Sequence, residues 1–184
     1  MKKTMWIVIG VLALVLVFCI SSYNGLVSLN ENVDGKWGQV ENQLQRRADL
    51  IPNLVNTVKG YAAHEQQVIA AVTEARAKLA GAKSPSDKAA ANGELDSALG
   101  RLLVVVENYP DLKADKTFIS LIDELSGTEN RIAVARKDYN EAVQYYNTAI
   151  RSFPKTLFAG MLGFGPREYF KATEKAQDVP NVTF

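Results

Sequence analysis

The residues that could carry chemistry in this chain are few, and most stand in the wrong setting for it. One histidine and one cysteine occur in 184 residues, which excludes an intramolecular disulfide and zinc sites of four cysteines or of two cysteines and two histidines. Cys19 sits inside an apolar run, so a Cys–His catalytic pair has no polar surroundings to activate the thiol. His64-Glu65-Gln66-Gln67-Val68 opens like a zinc-peptidase helix but places Val68 where the second histidine must be. A dinuclear centre in a helical bundle needs about four carboxylates and two Glu-x-x-His motifs, and no such motif is present. Gly160, Gly163 and Gly165 lack the spacing, flanking strand and lysine of a phosphate loop. Ser–His–Asp catalysis would have to use His64, and nothing supplies a strand–turn–helix nucleophile elbow. The expectation is no enzyme, no metal and no cofactor.

What remains is charge on apolar ground. Arg47, Glu65, Arg76, Glu129 and Arg136 occupy positions in otherwise apolar helical repeats. In one reading these side chains snorkel to the edge of a wet seam. The sharper reading counts along the helix axes. Glu65 lies about 15 residues past a turn expected at Asp49, and Glu129 about 15 past a helix start near Asp115, so at ~1.5 Å per residue both reach one level. Two carboxylates at one level need a cation, and Arg136 is the nearest on a seam, with Arg131 at its flank. A Glu65/Glu129/Arg136 cluster that fixes helix register is therefore expected, a role better attested for buried ion pairs than stabilisation.

The elements that must position these residues are helices. Seam residues recur at spacings of four and three: Tyr23, Leu26, Asn30, Val33, Trp37, Val40, Leu44 and Arg47; then Ile51, Val55, Val58, Ala62, Glu65, Ile69, Val72, Arg76 and Leu79; then Leu95, Leu99, Leu102, Val106 and Tyr109; and finally Phe118, Ile122, Leu125, Glu129, Ile132, Arg136, Tyr139, Val143, Tyr146, Ile150 and Phe153. Spacing that averages 3.5 keeps each set on one helical face. Sustained alternation is missing, so strands are not expected. The predicted fold is all-α: an N-terminal transmembrane helix, then an antiparallel up-down four-helix bundle with coiled-coil-like packing, over residues 23–153. Its helices fall at about 23–48, 51–80, 87–108 and 115–152. Asp49 and Pro52 read as N-cap and first-turn proline of a hairpin, with a kinked continuous helix as the rival. Residues 81–87, with Gly81, Ser84 and Pro85, form a turn.

Residues 5–20 are an uninterrupted apolar run behind Lys2 and Lys3, and no charge returns until Glu31. With its neighbours the run reaches about 20 residues, enough to cross ~30 Å of hydrocarbon. A cleaved signal peptide or a lipidated Cys19 would need a small residue that Phe18 does not supply, so a retained signal-anchor over residues 1–22 is the favoured reading. The two lysines place the N-terminus in the cytoplasm and the bundle on the outer, periplasmic side of the inner membrane.

Residues 154–184 begin as an apolar, glycine-rich segment. Leu157, Phe158, Met161, Leu162 and Phe164 either plug the end of the bundle or touch lipid or a membrane partner. A short amphipathic helix is expected over 167–177 and an extended tail beyond it, with Val179, Val182 and Phe184 free to lie in a groove.

A resemblance spans essentially the whole chain. Trp37-x-x-Val40, Gln43-Leu44-Gln45-Arg46-Arg47-Ala48-Asp49-Leu50-Ile51-Pro52-Asn53-Leu54-Val55, Tyr109-Pro110-x-Leu112-Lys113-Ala114, Gly127-Thr128-Glu129-Asn130-Arg131-Ile132, Tyr139-Asn140, Tyr146-Asn147 and Phe153-Pro154 resemble the LemA family in order and spacing. The resemblance implies a single-pass bacterial membrane protein with a helical bundle and no established enzymatic activity.

Lys and Arg number 21 against 20 Asp and Glu, a net charge of +1, so no global field favours nucleic acid. The expected partners are the lipid bilayer, an envelope or membrane protein and further copies of the chain. The leading expectation is a non-enzymatic scaffold or adaptor; the alternative is membrane shaping by lateral oligomers with an apolar wedge at 157–164.

Overall fold

The computed structural model of the chain describes residues 2–171. The tail after Lys171, and the predicted helix from residue 172 on, lie outside the described residues. The order is α1 (Lys2–Tyr61), α2 (Gln66–Gly81), α3 (Pro85–Val106), α4 (Pro110–Lys113), α5 (Lys116–Arg151) and a single 3-10 turn (Lys155–Leu157). No strand occurs among the described residues.

The hairpin expected at Asp49–Pro52 is not formed: α1 runs through Pro52 and ends at Tyr61. Two facts explain why. The apolar stripe keeps its phase across the proline, with Leu44, Ala48, Ile51, Leu54, Val55 and Val58 all buried, so one continuous helix buries what two would. Pro52 has no N–H to offer the carbonyl four residues earlier. That carbonyl, of Ala48, accepts instead from Arg76 Nε at 2.7 Å. Asp49 is drawn into the helix as well, accepting from Gln45 Nε2 at 2.8 Å rather than capping a new one. The chain reverses later, at residues 62–65, with Glu65 N–H donating to the Ala62 carbonyl at 3.1 Å.

The other boundaries follow capping chemistry. Ser84 caps α3 by accepting from Asp87 N–H at 3.0 Å, with Pro85 in the first turn. Asp115 does the same for α5 through Phe118 N–H at 2.9 Å. The expected helix over 167–177 is absent over its described part: residues 166–171 are non-helical. Their backbone is claimed by asparagine side chains instead of by its own helical partners.

The described chain forms two compact units, one of residues 2–37 and 141–167, the other of 38–140 and 168–171. In the first, every side chain from residue 3 to 21 is exposed, including Trp6 at 68% and Leu14 at 72%. So long an apolar sleeve belongs in lipid, where an α-helix satisfies all its backbone groups. Burial begins where the run stops, at Ser22, Leu26 and Val33. In the second unit Val40, Leu44, Ile51, Leu54 and Val58 of α1 are buried, as are Val72 and Leu79 of α2, Leu95 and Leu102 of α3, and Leu125 and Ile132 of α5.

Candidate functional site

The first unit carries the arrangement with the clearest use. Residues 153–164 leave the end of α5 as a compact loop. Its tight closure rests on Gly163, whose φ of +83° suits glycine, and on Phe164 N–H donating to the Ala159 carbonyl at 2.9 Å. The Phe164 ring meets Tyr23 edge-on with centroids 5.7 Å apart. Tyr23 lies three residues beyond the apolar run, about 4.5 Å along the axis. The loop therefore sits at the level where the span ends. Of the five apolar residues singled out from sequence, Phe158 and Phe164 are half-buried. Leu157, Met161 and Leu162 are exposed, Met161 at 88%, and Phe153 joins them at 79%. Lys155 belongs to the same loop. Apolar side chains thus stand beside a cation next to the end of the apolar run.

The segment after the loop is held side chain to backbone. Tyr146 hydroxyl donates to the Gly165 carbonyl at 3.0 Å, and burial is the main cause that pushes its pKa up. Asn147 brackets Arg167, accepting from its N–H at 2.8 Å and donating to its carbonyl at 2.9 Å. The Arg167 guanidinium then binds Asp34 at 2.7 and 2.8 Å and Asn30 at 3.0 and 3.1 Å, tying the loop to α1.

The second unit holds the charged residues. Arg47 is 5% exposed. It donates to Asn92 at 2.7 Å and to Asp96, and its Nη1 lies 2.6 Å from Glu129 Oε2. The Glu129 contact is a charge contact outside hydrogen-bond geometry; that oxygen, Arg47 Nε and Gln43 Oε1 are buried without hydrogen-bond partners among the described residues. The carboxylates stay wetter than the cation, with Asp96 and Glu129 side chains 42% and 44% exposed.

The cluster predicted from sequence is thus divided differently. Glu129 faces Arg47, not Arg136. Glu65 accepts from Tyr109 hydroxyl at 2.9 Å, and Arg136 lines a groove with Phe170. The axial count placed the reversal at Asp49; with the reversal at residues 62–65, Glu65 stands at the start of α2 and not about 15 residues along a helix. Arg76, expected on a seam, serves the carbonyl freed by Pro52. Arg47 was singled out as a seam charge but not placed in the cluster, and its α3 partners were missed, although Asn92 and Asp96 at a four-residue spacing beside Leu95 and Leu99 were a visible signal.

At the start of α5, the Phe118 N–H and then the Tyr61 hydroxyl hold the Asp115 carboxyl below its ordinary value, and the same Tyr61–Asp115 bond of 3.0 Å raises Tyr61. A lowered carboxyl contributes stability above its unfolded value and loses it as pH falls through the folded one. The raised tyrosine contributes below its unfolded value and loses it as pH rises. The stability difference between wild type and Asp115→Asn should stay level from about pH 6 to 8 and shrink below about pH 4. Urea midpoints across that range measure it; a difference unchanged into acid would contradict the assignment.

Comparison with known proteins agrees with the motifs. The model of the LemA family matches residues 36–184. Magnetosome protein MamQ 2 of Paramagnetospirillum magneticum is 31% identical, over 88% of this chain and 68% of its own length. Magnetosome protein MamQ of Magnetospirillum gryphiswaldense is 29% identical over the same shares. Protein LemA of Metamycoplasma hominis is 29% identical over 71% of this chain and 59% of its own length. With a family match over most of its length, an all-helical fold and one helix long and apolar enough to cross a membrane, this chain belongs to the LemA family.

Proposed function

We propose that the protein is a non-enzymatic scaffold or adaptor anchored in the bacterial inner membrane by a single span, its N-terminus cytoplasmic and its bundle on the outer, periplasmic side. The observation that carries this reading is the coincidence of level between the end of the apolar run and the exposed apolar loop, joined by the Tyr23–Phe164 contact. A span alone gives location; a span plus a loop resting in the headgroups also gives orientation, which a platform for partners requires. The body is an antiparallel four-helix arrangement. Supporting this, Arg46 pairs with Glu124 and Tyr61 with Asp115, so residue numbers run in opposite senses along α1 and α5; Lys78 pairs with Glu94 between α2 and α3 at 2.9 Å. That relatives are named for the magnetosome rather than for a reaction is in keeping with a structural role.

A second reading, membrane shaping by lateral oligomers, draws on the same loop, since Leu157, Met161 and Leu162 stand clear of the protein. Crosslinking in intact membranes, followed by sizing of the protein in native nanodiscs, separates the two. Small discrete complexes with a defined partner are expected; large ordered arrays of this chain alone would favour shaping.

A further inference from the structure

The first unit carries uncompensated positive charge where its apolar run ends. From residue 142 to 167 the chain holds Arg151, Lys155 and Arg167 and no acid, and α1 holds no charge of either sign from residue 4 to 30. Arg167 is taken by Asp34 and Asn30. Among the described residues neither Arg151 nor Lys155 stands in an ion pair. The first acid on α1 is Glu31, six residues beyond Gly25 and so about 9 Å further from the run.

The two cations are positioned by the fold. Lys155 is half-buried, and its Nζ stands over α1 at Gly25, 3.9 Å from where a β-carbon would be. Gly25 lies five residues past Ile20, the last of the apolar run, or about 7.5 Å along the axis. Thr156 N–H donates to the Ser152 carbonyl at 3.0 Å, which keeps Arg151 one turn from Lys155. Leu157, Met161 and Leu162 are exposed on the loop that follows. Fixed positive charge and bare apolar surface therefore adjoin.

We propose that Lys155 and Arg151 seat the phosphate of an anionic phospholipid, whose acyl chains lie against Leu157, Met161 and Leu162. The inference rests on the reading of the loop as lipid-facing and adds the class of lipid. The headgroup layer on each side of a bilayer is about 5–8 Å deep, so with the run spanning the hydrocarbon the ammonium stands at phosphate depth. Two uncompensated cations favour a headgroup of net negative charge, because a zwitterionic lipid brings a cation of its own. Lysine supplies three donors to phosphate oxygens and arginine a planar fork. The occupant is lipid and not free phosphate, since only an amphiphile meets the charge and the apolar side chains together.

The test uses the full chain with Cys19→Ser and a bimane fluorophore on Met161→Cys. It is placed in nanodiscs of equal phosphatidylglycerol and phosphatidylcholine, with bromine on the acyl chains of one lipid or the other. Quenching should report an enrichment of phosphatidylglycerol around the loop of about fivefold or more, the factor that one basic residue is worth at an anionic surface. Arg151→Gln/Lys155→Gln should abolish the preference and Arg151→Lys/Lys155→Arg should keep it, while both variants are still quenched in brominated phosphatidylcholine alone. Equal quenching by the two lipids in the parent would overturn the inference and leave the lipid-facing loop standing. No quenching by either lipid would overturn that reading, and the inference with it. An enrichment unchanged in the glutamine variant would overturn the assignment to these residues. Loss of the enrichment in excess inorganic phosphate, at ionic strength matched with chloride, would show a seat for the free ion and overturn the lipid.

Discussion

Neutralising both acids around Arg47, as Asp96→Asn/Glu129→Gln, should destabilise the protein by about 3 kcal/mol or more, because it strands a buried guanidinium. Removing the cation should cost less, which reverses the usual intuition about deleting the central residue. The reason is the asymmetry of burial. Arg47 is enclosed, while Asp96 and Glu129 are each more than two-fifths exposed and can turn to water when it is gone. Arg47→Met leaves the Asn92 side-chain oxygen without its donor and Glu129 Oε2 without its counter-charge, about 1–2 kcal/mol once the half-exposed carboxylates turn outward. Thermal melts of the full chain in detergent read both: a fall of about 6–12 °C for the double neutralisation at ~2–4 °C per kcal/mol, and about one third to two thirds of that for Arg47→Met. Equal losses would mean that the acids, not the arginine, bear the desolvation.

Arg76→Met should show an effect that depends on residue 52. With Pro52 present it deprives the Ala48 carbonyl of its donor, a charge-assisted bond of about 1.5–3 kcal/mol. In a Pro52→Ala background the new N–H lies in the position that bonds residue 48, and the same substitution should cost less than about 1 kcal/mol. Pro52→Ala alone should stabilise by about 1–3 kcal/mol, since it relieves an interior proline. Additive effects in the double mutant would show that the two residues do not share that carbonyl. The cycle also bears on design: the arginine makes a proline tolerable in the middle of a 60-residue helix.

These two cases also mark where the sequence was readable. The apolar seams were, because a repeat of four and three has one low-energy solution, a buried helical face; Leu26, Val33, Val40, Leu95, Leu102 and Ile132 all lie in it. The proline was misread because Asp49-Leu50-Ile51-Pro52 has the composition of a helix start. The contrary signal was in the same residues: 44, 47, 51, 55 and 58 keep an unbroken spacing of three and four, which an inserted hairpin would have shifted. The true reversal is weakly signed, since residues 62–65 contain neither glycine nor proline. Glu65 was misplaced as a direct consequence.

The polar clamps were half legible. Tyr139-Asn140 and Tyr146-Asn147 are the same pair repeated at a heptad interval, and within its own unit each asparagine brackets one residue of the C-terminal segment, Phe170 and Arg167 respectively. Side-chain amides that take both the N–H and the carbonyl of one residue hold it extended, which is why 167–171 does not follow its amphipathic pattern into a helix. Nothing local in that segment announces this; the partner is on α5. The apolar loop was legible as apolar, but the division of its side chains was not. Phe164 turns inward onto Tyr23, from the far end of the chain.

The proposed function requires that lipid hold this protein at two places, the span and the loop that lies beside its end. Spin labels at Met161→Cys and, as an aqueous reference, Lys83→Cys, each in a Cys19→Ser background in liposomes, test it through accessibility to oxygen and to a polar nickel reagent. The account predicts that the Met161 label favours oxygen, as a site within about 5–10 Å of the acyl boundary does, while the Lys83 label favours nickel. A Met161 label as open to nickel as the reference would contradict it.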